Sequence, residues 1–214
     1  MSANYLISKE GHQYRLVEEQ LMAWDYNLAY CGSTCFIEGD GYMETKGRIN
    51  ELKSYSVSIA LEGDGTVEYE EEQYQSLIKL LRAISKTWHV DPWNVLAAGE
   101  VTQEPPEEEK LQPGKKFDWG RLVKENFSLG IETGAVQDAR HAEQENLAER
   151  LREWGYEFGP KGPEEAIHNT MFRRRLKQFQ HRYIPLEADR GCDLGASLKS
   201  VELLLRQRAE QRKV

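Results

Sequence analysis

The stretch Ser2–Trp24, SANYLISKEGHQYRLVEEQLMAW, decides the fold of the first half of the chain. Residues 4–8 and 13–19 are rich in Tyr, Leu, Ile and Val, as strands usually are. Between them lies Lys9-Glu10-Gly11-His12, in which the glycine can adopt a positive φ. This pattern predicts a β-hairpin at the start of an α/β domain.

Two further segments extend this domain. SYSVSIALEG, residues 54–63, alternates apolar and small residues, which predicts a strand whose small face packs closely or lines a cleft. Residues 70–88 place apolar side chains on one helical stripe, with glutamates in the first turn. The following NVLAAG, residues 94–99, predicts a short apolar strand, and an acidic loop and the turn PGKKFDW come after it. The glycine-containing residues 26–50 predict a long loop, and such loops are often functional.

The composition changes after about residue 130. Three amphipathic helices are predicted near residues 147–154, 172–183 and 196–210, and residues 132–144 are the predicted linker. Three short helices need a partner surface, so we expect a small three-helix bundle docked on the first domain. The predicted domains are residues 1–130 and 140–210.

Composition excludes several classes of protein. The formal net charge of the 214 residues is −8, which argues against nucleic-acid binding because phosphate binding needs a basic surface. No apolar run approaches the roughly 20 residues that span a bilayer, and no signal peptide is visible at the start. Of the three cysteines, Cys31 and Cys35 could pair locally, but all three are most simply thiols.

Four motifs, in order, resemble the zinc-dependent N-acetylmuramoyl-L-alanine amidases, a family that includes the peptidoglycan recognition proteins. They are residues 2–24, RINELKSYSVSIALEG at 48–63, WHVDPWNVLAAGEV at 88–101 and KLQPGKKFDW at 110–119. The C-terminal residues resemble the helical peptidoglycan-binding domain that some of these amidases carry. The resemblance implies a mixed central sheet flanked by helices, with the first strand of the family missing. The hairpin would then leave an exposed sheet edge or a gap, so we expect residues 4–8 to be covered by a protein partner or by a rearranged segment of the same chain.

The resemblance also implies where the catalytic residues should fall. Two zinc ligands would match Ala98 and Gln112, and the general base would match Ala60. Alanine has no lone pair for a metal, and a neutral amide is a poor zinc ligand. Lys110 matches a lysine that stabilises the oxyanion. We therefore expect no metal, no cofactor and no catalysis.

A groove without a metal could still hold a muramyl peptide. Its predicted walls are residues 26–50, 56–60 and 100–116. The candidate binding residues are Asn4, Asp25, Asn50, Ser58 and Lys110, of which Asn4 and Asp25 stand where the family often has histidines that are not ligands. The basic stretch RRRLKQFQHR, residues 173–182, could meet an anionic wall polymer or form a solvated helix face.

Other chemistry is less well supported by the sequence. His89, Asp91 and Glu100 could form a metal site, but such residues usually lie on the surface. The acidic run 104–109 is typical of a solvated loop. A nucleophilic cysteine needs a partner base, and no histidine is placed beside Cys31 or Cys35 by a motif.

The leading functional prediction is a catalytically inactive protein that binds peptidoglycan or serves as a scaffold in a bacterial envelope assembly, for example a secretion machine. One alternative is an active amidase that hydrolyses the muramyl–L-alanine amide bond with an unrecognised metal arrangement. The other is a protein-interaction module that does not touch peptidoglycan. The expected location is the bacterial periplasm or cell envelope. The stem-peptide type and the partner are not specified by the sequence.

Overall fold

The structure is a computed structural model. It describes residues 3–23, 56–102, 112–132, 144–156, 158, 170–185, 188 and 194–213.

A three-stranded sheet forms the centre of the first half. Strand β1 is Tyr5–Ile7, β2 is Gln13–Arg15 and β3 is Ile59–Leu61. Strand β1 pairs antiparallel with β2, which confirms the predicted hairpin, and parallel with β3. Gly11 in the hairpin has φ of 78°. A Cβ at this position would lie only 2.6 Å from the Glu72 carbonyl oxygen, so there is no space for a side chain.

The sheet order is β2-β1-β3, so β1 is the central strand. The prediction of an exposed edge at residues 4–8 for a protein partner is therefore wrong, and the alternative that a segment of the same chain covers these residues is confirmed. The edge prediction assumed that β1 lies at the edge of the sheet, whereas it is the central strand. In the described residues, β3 covers that side of β1 through bonds such as Tyr5 N to Ser58 O at 3.1 Å.

Helix α1, Glu71–Trp88, packs on this sheet and confirms the predicted helix. Its start is fixed by a reciprocal capping arrangement in which the backbone N–H of Glu70 donates to Gln73 Oε1 at 3.1 Å. The helix ends at His89, whose φ is 51°. Its buried face and the sheet share one apolar core, which includes Ile7, Leu77, Leu81, Ile84, Phe117, Leu122 and Phe127.

The segment after α1 contains no strand in the described residues, so the strand predicted for residues 94–99 is wrong. Pro92–Asn94 form a 3-10 helix and Ala98–Val101 form the short helix α2. A short apolar run does not distinguish a strand from a buried helical turn. Here Pro92 favours a helical start, and Glu100 closes the turn by accepting a hydrogen bond from Ala97 N at 2.8 Å.

Four further helices of the described residues follow α2. They are α3 Trp119–Lys124, α4 Gln144–Trp154, α5 Thr170–Tyr183 and α6 Leu194–Gln211. The last three confirm the three predicted C-terminal helices. Their shared core also takes in Trp93 and Leu129 from the first half, so the two halves are joined by apolar packing.

The architecture is α/β, with a small mixed sheet flanked by helices, as predicted. The boundary at residues 130–140 stays a prediction, and most of the predicted linker lies outside the described residues. None of the described helices is long and apolar enough to cross a membrane.

Candidate functional site

A cleft lies where the resemblance placed two zinc ligands. The N–H of Gly99 donates to the carbonyl oxygen of Gln112 at 3.4 Å, which holds α2 beside the turn that begins at Gln112. The cleft is partly open to solvent, and its enclosed space is about 20 Å³, which is room for about one water molecule. It is lined from the first half by Ala97, Glu100, Gln112, Pro113, Gly114 and Trp119, and from α5 by Gln178, His181 and Arg182.

Glu100 forms the floor of a buried polar network that joins the two halves. Only 8% of Glu100 is exposed. Its Oε1 accepts a hydrogen bond from the Tyr156 hydroxyl, and its Oε2 forms an ion pair with Arg182. Both carboxylate oxygens are therefore engaged, so Glu100 is a structural anion in this arrangement.

Arg182 of α5 makes several further contacts with the first half of the chain. It donates to the carbonyl oxygen of Val95 at 2.8 Å and to Ser128 Oγ at 3.0 Å. Its guanidinium lies 4.0 Å from the centroid of the Trp119 ring. The stacking on the ring and the hydrogen bonds from the N–H groups together hold the guanidinium in one position.

Arg175 makes a second clamp from α5 to α2. It donates to the carbonyl oxygen of Gly99 at 2.7 Å and also to that of Thr102. Only 1% of Arg175 is exposed, whereas Arg173 is exposed. The sequence interpretation of residues 173–182 as a solvated or polymer-binding basic face is therefore wrong for Arg175 and Arg182.

Burial of this network raises the pKa values of two tyrosines. Desolvation raises the pKa of Tyr156 well above its usual 10, and the nearby Glu100 charge adds to the shift. Desolvation also raises the pKa of Tyr183. Both hydroxyls therefore keep their protons at a pH where an exposed tyrosine ionises.

These shifts predict a loss of stability in alkali. A tyrosine with a raised pKa in the folded state stabilises the fold fully below the unfolded pKa of about 10, and this contribution is lost as pH rises above it. Arg208 acts in the opposite direction, because burial first and then Arg212 lower its pKa to about 10. Burial also raises the pKa values of Tyr5, Tyr69 and Tyr74, so the tyrosines outweigh Arg208. We therefore expect the free energy of unfolding to fall between roughly pH 9 and pH 11.

Urea unfolding at a series of pH values measures this effect. Tyr183→Phe removes one of these tyrosines, so its free energy of unfolding should fall less steeply than that of the wild type over the same range. A wild-type curve that is flat or rises would contradict the assignment.

The candidate groove residues Asn4 and Ser58 are bonded to each other. Asn4 is fully buried, and its Oδ1 accepts from Ser58 N at 2.9 Å. Its Nδ2 donates to the carbonyl oxygens of Glu18 at 3.0 Å and Leu21 at 3.2 Å. The amide ties β3 and the segment after β2 to the start of β1. A role in ligand binding for either residue stays a prediction.

Asn4→Ala should destabilise the fold by about 1–3 kcal/mol, because it removes the partner of Ser58 N and the donor to the Leu21 carbonyl. The Glu18 carbonyl loses one of its two donors and keeps the N–H of Leu21. Asn4→Asp is the comparison, since it retains the acceptor for Ser58 N but buries a carboxylate oxygen against the carbonyl oxygens of Glu18 and Leu21. Chemical unfolding should show both variants less stable than the wild type, with Asn4→Asp at least as destabilised as Asn4→Ala. Equal stability of all three would show that water replaces these bonds.

The residues at the expected zinc positions do not fit a zinc ion. Ala60 is half-buried in β3, while Ala98 and Gln112 are exposed. The described part of the chain holds no group of three or more His, Cys, Asp or Glu side chains that could bind a metal. His89 is exposed at the end of α1, and Glu100 is consumed by its ion pair, so His89, Asp91 and Glu100 form no metal site.

Several sequence candidates lie outside the described residues. They are Asp25, Asn50 and Lys110 of the groove, Cys31, Cys35 and Cys192, and the acidic run 104–109. Their predicted roles stay predictions.

The sequence interpretation missed the residues that join the C-terminal helices to the first half of the chain. Arg182, Tyr156 and Gln178 sit in helical patterns whose apolar members are Phe172, Leu176 and Phe179. One signal was available, since arginines at positions 175 and 182 are seven residues apart and so lie on one face of a helix, beside that apolar stripe.

Comparison with known proteins places the chain in a family. The model of Amidase_2, N-acetylmuramoyl-L-alanine amidase, matches residues 1–115, which is more than half of the 214 residues. The chain belongs to the N-acetylmuramoyl-L-alanine amidase family. Ala60, Ala98 and Gln112 all lie inside the matched region, so their replacement does not remove the chain from the family.

Curated relatives and solved structures agree with this assignment. The chain is 26% identical to AmiD of Escherichia coli strain K12 over 210 residues, which cover 86% of this chain and 67% of AmiD. It is 25% identical to the 1,6-anhydro-N-acetylmuramyl-L-alanine amidase AmpD of Enterobacter cloacae over 57% of this chain, but spans only 55% of AmpD.

Among solved structures, two amidase-type folds resemble the whole chain. The complex of Escherichia coli AmiD with the substrate anhydro-N-acetylmuramic acid-L-Ala-D-gamma-Glu-L-Lys has a TM-score of 0.72 at 23% identity and covers 96% of this chain and 79% of AmiD. AmpDh3 of Pseudomonas aeruginosa has a TM-score of 0.72 at 18% identity and covers 97% of this chain and 83% of AmpDh3.

These matches correct the prediction of a catalytically inactive scaffold. AmiD and AmpD are both named as amidases, and the solved AmiD complex contains a substrate. The prediction of an inactive protein rested on three replaced side chains, whereas the matched relatives are named as enzymes.

Proposed function

We propose that this chain is an N-acetylmuramoyl-L-alanine amidase that hydrolyses the amide bond between the muramyl lactyl group and L-alanine in peptidoglycan fragments. The observation that supports it is the match of residues 1–115 to the amidase family, which includes the α2 segment and the turn at Gln112 that line the cleft. The substrate of the AmiD complex belongs to the same chemical class.

Amide hydrolysis at neutral pH needs an activated water. In the zinc amidases the metal supplies it by lowering the pKa of bound water from about 15.7 to about 7. Ala60, Ala98 and Gln112 cannot hold such an ion or act as the base, so the water-activating group must lie at other positions of the chain. The chain's own described contribution is the cleft, which is lined by α5 on one side and by the exposed Gln112 on the other.

We also propose a role for the C-terminal helices as a peptidoglycan-binding unit of the same enzyme. The relatives whose names refer to muramyl amides are bacterial proteins, which supports a bacterial cell-envelope setting. Tight docking of α5 on α2 supports a single working unit, since Arg175 and Arg182 bond to backbone atoms of the first half.

The proposal is tested by incubating the purified protein with anhydro-N-acetylmuramic acid-L-Ala-D-γ-Glu-L-Lys. Free tripeptide is then measured by liquid chromatography and mass spectrometry. The assay is run after dialysis against a chelator and again with zinc, manganese or magnesium added, which shows whether a metal held outside the three replaced positions is required.

Two variants locate the reaction in the cleft. Gln112→Trp fills its mouth and should lower kcat/KM by more than about tenfold. Lys116→Trp makes the same change at an exposed position four residues along that does not line the cleft, and it should stay within about twofold of wild type. No tripeptide under any metal condition would overturn the proposed function, and equal activity of both variants would place the reaction elsewhere.

A further inference from the structure

In the loop between β3 and α1, an aspartate is followed directly by a glycine. Asp64 is exposed, whereas Gly65 is buried and has φ of 74°. Such a pair can isomerise without an enzyme. The glycine backbone nitrogen attacks the aspartate Cγ, an N–C bond forms, and one carboxyl oxygen leaves as water. Water then opens the succinimide ring at the former main-chain carbonyl, so that the chain runs through Cβ and Cγ as isoaspartate.

Two hydrogen bonds from Thr66 hold the carboxylate of Asp64 in the folded loop. Its Oδ1 accepts from the Thr66 hydroxyl at 2.6 Å and from the Thr66 backbone N–H at 3.0 Å. These bonds lower the pKa of Asp64, the hydroxyl more than the N–H, and so keep the carboxyl group ionised. An ionised carboxylate resists the ring closure, because its oxygen leaves as water only from the protonated acid.

The backbone of Gly65 lies directly against the turn at Pro113 and Gly114. A Cβ at Gly65 would lie 2.5 Å from the Pro113 carbonyl oxygen and 2.7 Å from the Gly114 Cα. The Tyr69 hydroxyl donates to the same carbonyl at 2.7 Å, which ties the loop to the turn at a second point. Gly65 has no room to shift, so the approach of its nitrogen to the Asp64 Cγ requires this contact to open.

We propose that Asp64 is a covalent modification site that the fold keeps closed, and that isoaspartate formed there holds the loop away from Pro113 and Gly114. The isomer adds one methylene to the main chain, at a contact that has no space for a Cβ on Gly65. The turn that is released lines the cleft together with Gln112. This inference does not rest on the proposed function.

The sequence supplies an internal reference, because Glu-Gly-Asp-Gly occurs at residues 38–41 as well as at 62–65. The protein is incubated at neutral pH and body temperature, in buffer and in guanidinium chloride. Isoaspartate is then located by tryptic peptide mapping with electron-transfer mass spectrometry. In guanidinium chloride Asp40 and Asp64 should isomerise at similar rates, whereas in buffer Asp64 should isomerise at least about tenfold more slowly.

A variant pair tests the contribution of the hydroxyl. Thr66→Val removes it at nearly constant volume and should raise the rate at Asp64 in buffer by about threefold to tenfold, with no change in guanidinium chloride. Thr87→Val removes a hydroxyl that donates to the Ala83 carbonyl in α1 at 3.0 Å, and it should keep the wild-type rate. Thermal unfolding checks that both variants are folded.

The effect on the turn is measured on aged protein, after the isoaspartyl form has been separated by ion-exchange chromatography. The backbone N–H of Phe117 donates to the Gly114 carbonyl at 3.3 Å, so its hydrogen exchange should be faster in the isoaspartyl form. The amides of Tyr5–Ile7 in β1 should exchange as in the unmodified protein.

Equal rates at Asp64 in buffer and in guanidinium chloride would overturn the proposal that the fold protects this site. A Thr66→Val rate equal to that of Thr87→Val would also overturn it. Unchanged exchange at Phe117 in the isoaspartyl form would overturn the proposed release of the turn. None of these measurements uses tripeptide release, so their outcome and that of the amidase assay are independent.

Discussion

Glu100→Ala is expected to lower the free energy of unfolding by about 3–5 kcal/mol, because it leaves the Arg182 guanidinium buried without its counter-charge. It also removes the acceptor of the Tyr156 hydroxyl. In a domain of this size the melting temperature should fall by roughly 6–20 °C. Calorimetry or circular dichroism during heating measures the change.

Two controls separate the buried pair from charge effects in general. Glu71→Ala breaks an ion pair with Arg121 on the exposed surface of α1 and should have a much smaller effect. The double variant Glu100→Leu with Arg182→Met replaces both charges by apolar groups and should recover part of the loss. If Glu100→Ala behaves like Glu71→Ala, the network does not join the two halves.

Phe179→Ala should cost about 3–5 kcal/mol as well, through loss of buried area and the cavity left behind. Phe179 is fully buried at the centre of the C-terminal core. Its ring centroid lies 5.1 Å from that of Tyr183 and 6.1 Å from that of Tyr156. The measurement is urea unfolding of the wild type and the variant.

Phe179→Leu is the comparison, since it keeps most of the volume and should cost less than half as much. Because Tyr156 packs on Phe179 and also bonds to Glu100, Phe179→Ala and Glu100→Ala should be non-additive when combined. Strict additivity would show that the core and the polar network are independent, against the arrangement described above.

The elements that sequence reasoning obtained correctly are those fixed by local pattern. The hairpin follows from the apolar residues on both sides of Gly11, and α1 and the C-terminal helices follow from apolar stripes at helical spacing. Each of these signals lies within one short window of the chain.

The missed features depend on contacts between distant parts of the chain. The pairing of β1 with β3 joins residues more than 50 positions apart, such as Tyr5 and Ile59, and no local pattern states it. The burial of Arg182 depends on Glu100, 82 residues away. Arginine in an amphipathic helix is usually solvated, so the sequence alone favoured a surface role.

The candidate site shows the same division. The resemblance directed attention to Ala98 and Gln112, and a cleft lies beside them in the structure, but its functional role stays a proposal. Part of its lining comes from α5, which only tertiary packing brings there. The prediction that the protein is inactive was drawn from three replaced residues. The family match, in contrast, rests on residues 1–115 together.

The measurement that tests the amidase proposal most directly is hydrolysis of anhydro-N-acetylmuramic acid-L-Ala-D-γ-Glu-L-Lys in water enriched in oxygen-18. Hydrolysis at the muramyl amide adds the water oxygen to the lactyl carboxylate and transfers the proton to the released alanine amine. We predict one heavy oxygen in the muramyl product and none in the free tripeptide. Release of no tripeptide above the rate without protein, or heavy oxygen in a peptide carboxylate, would contradict the assignment.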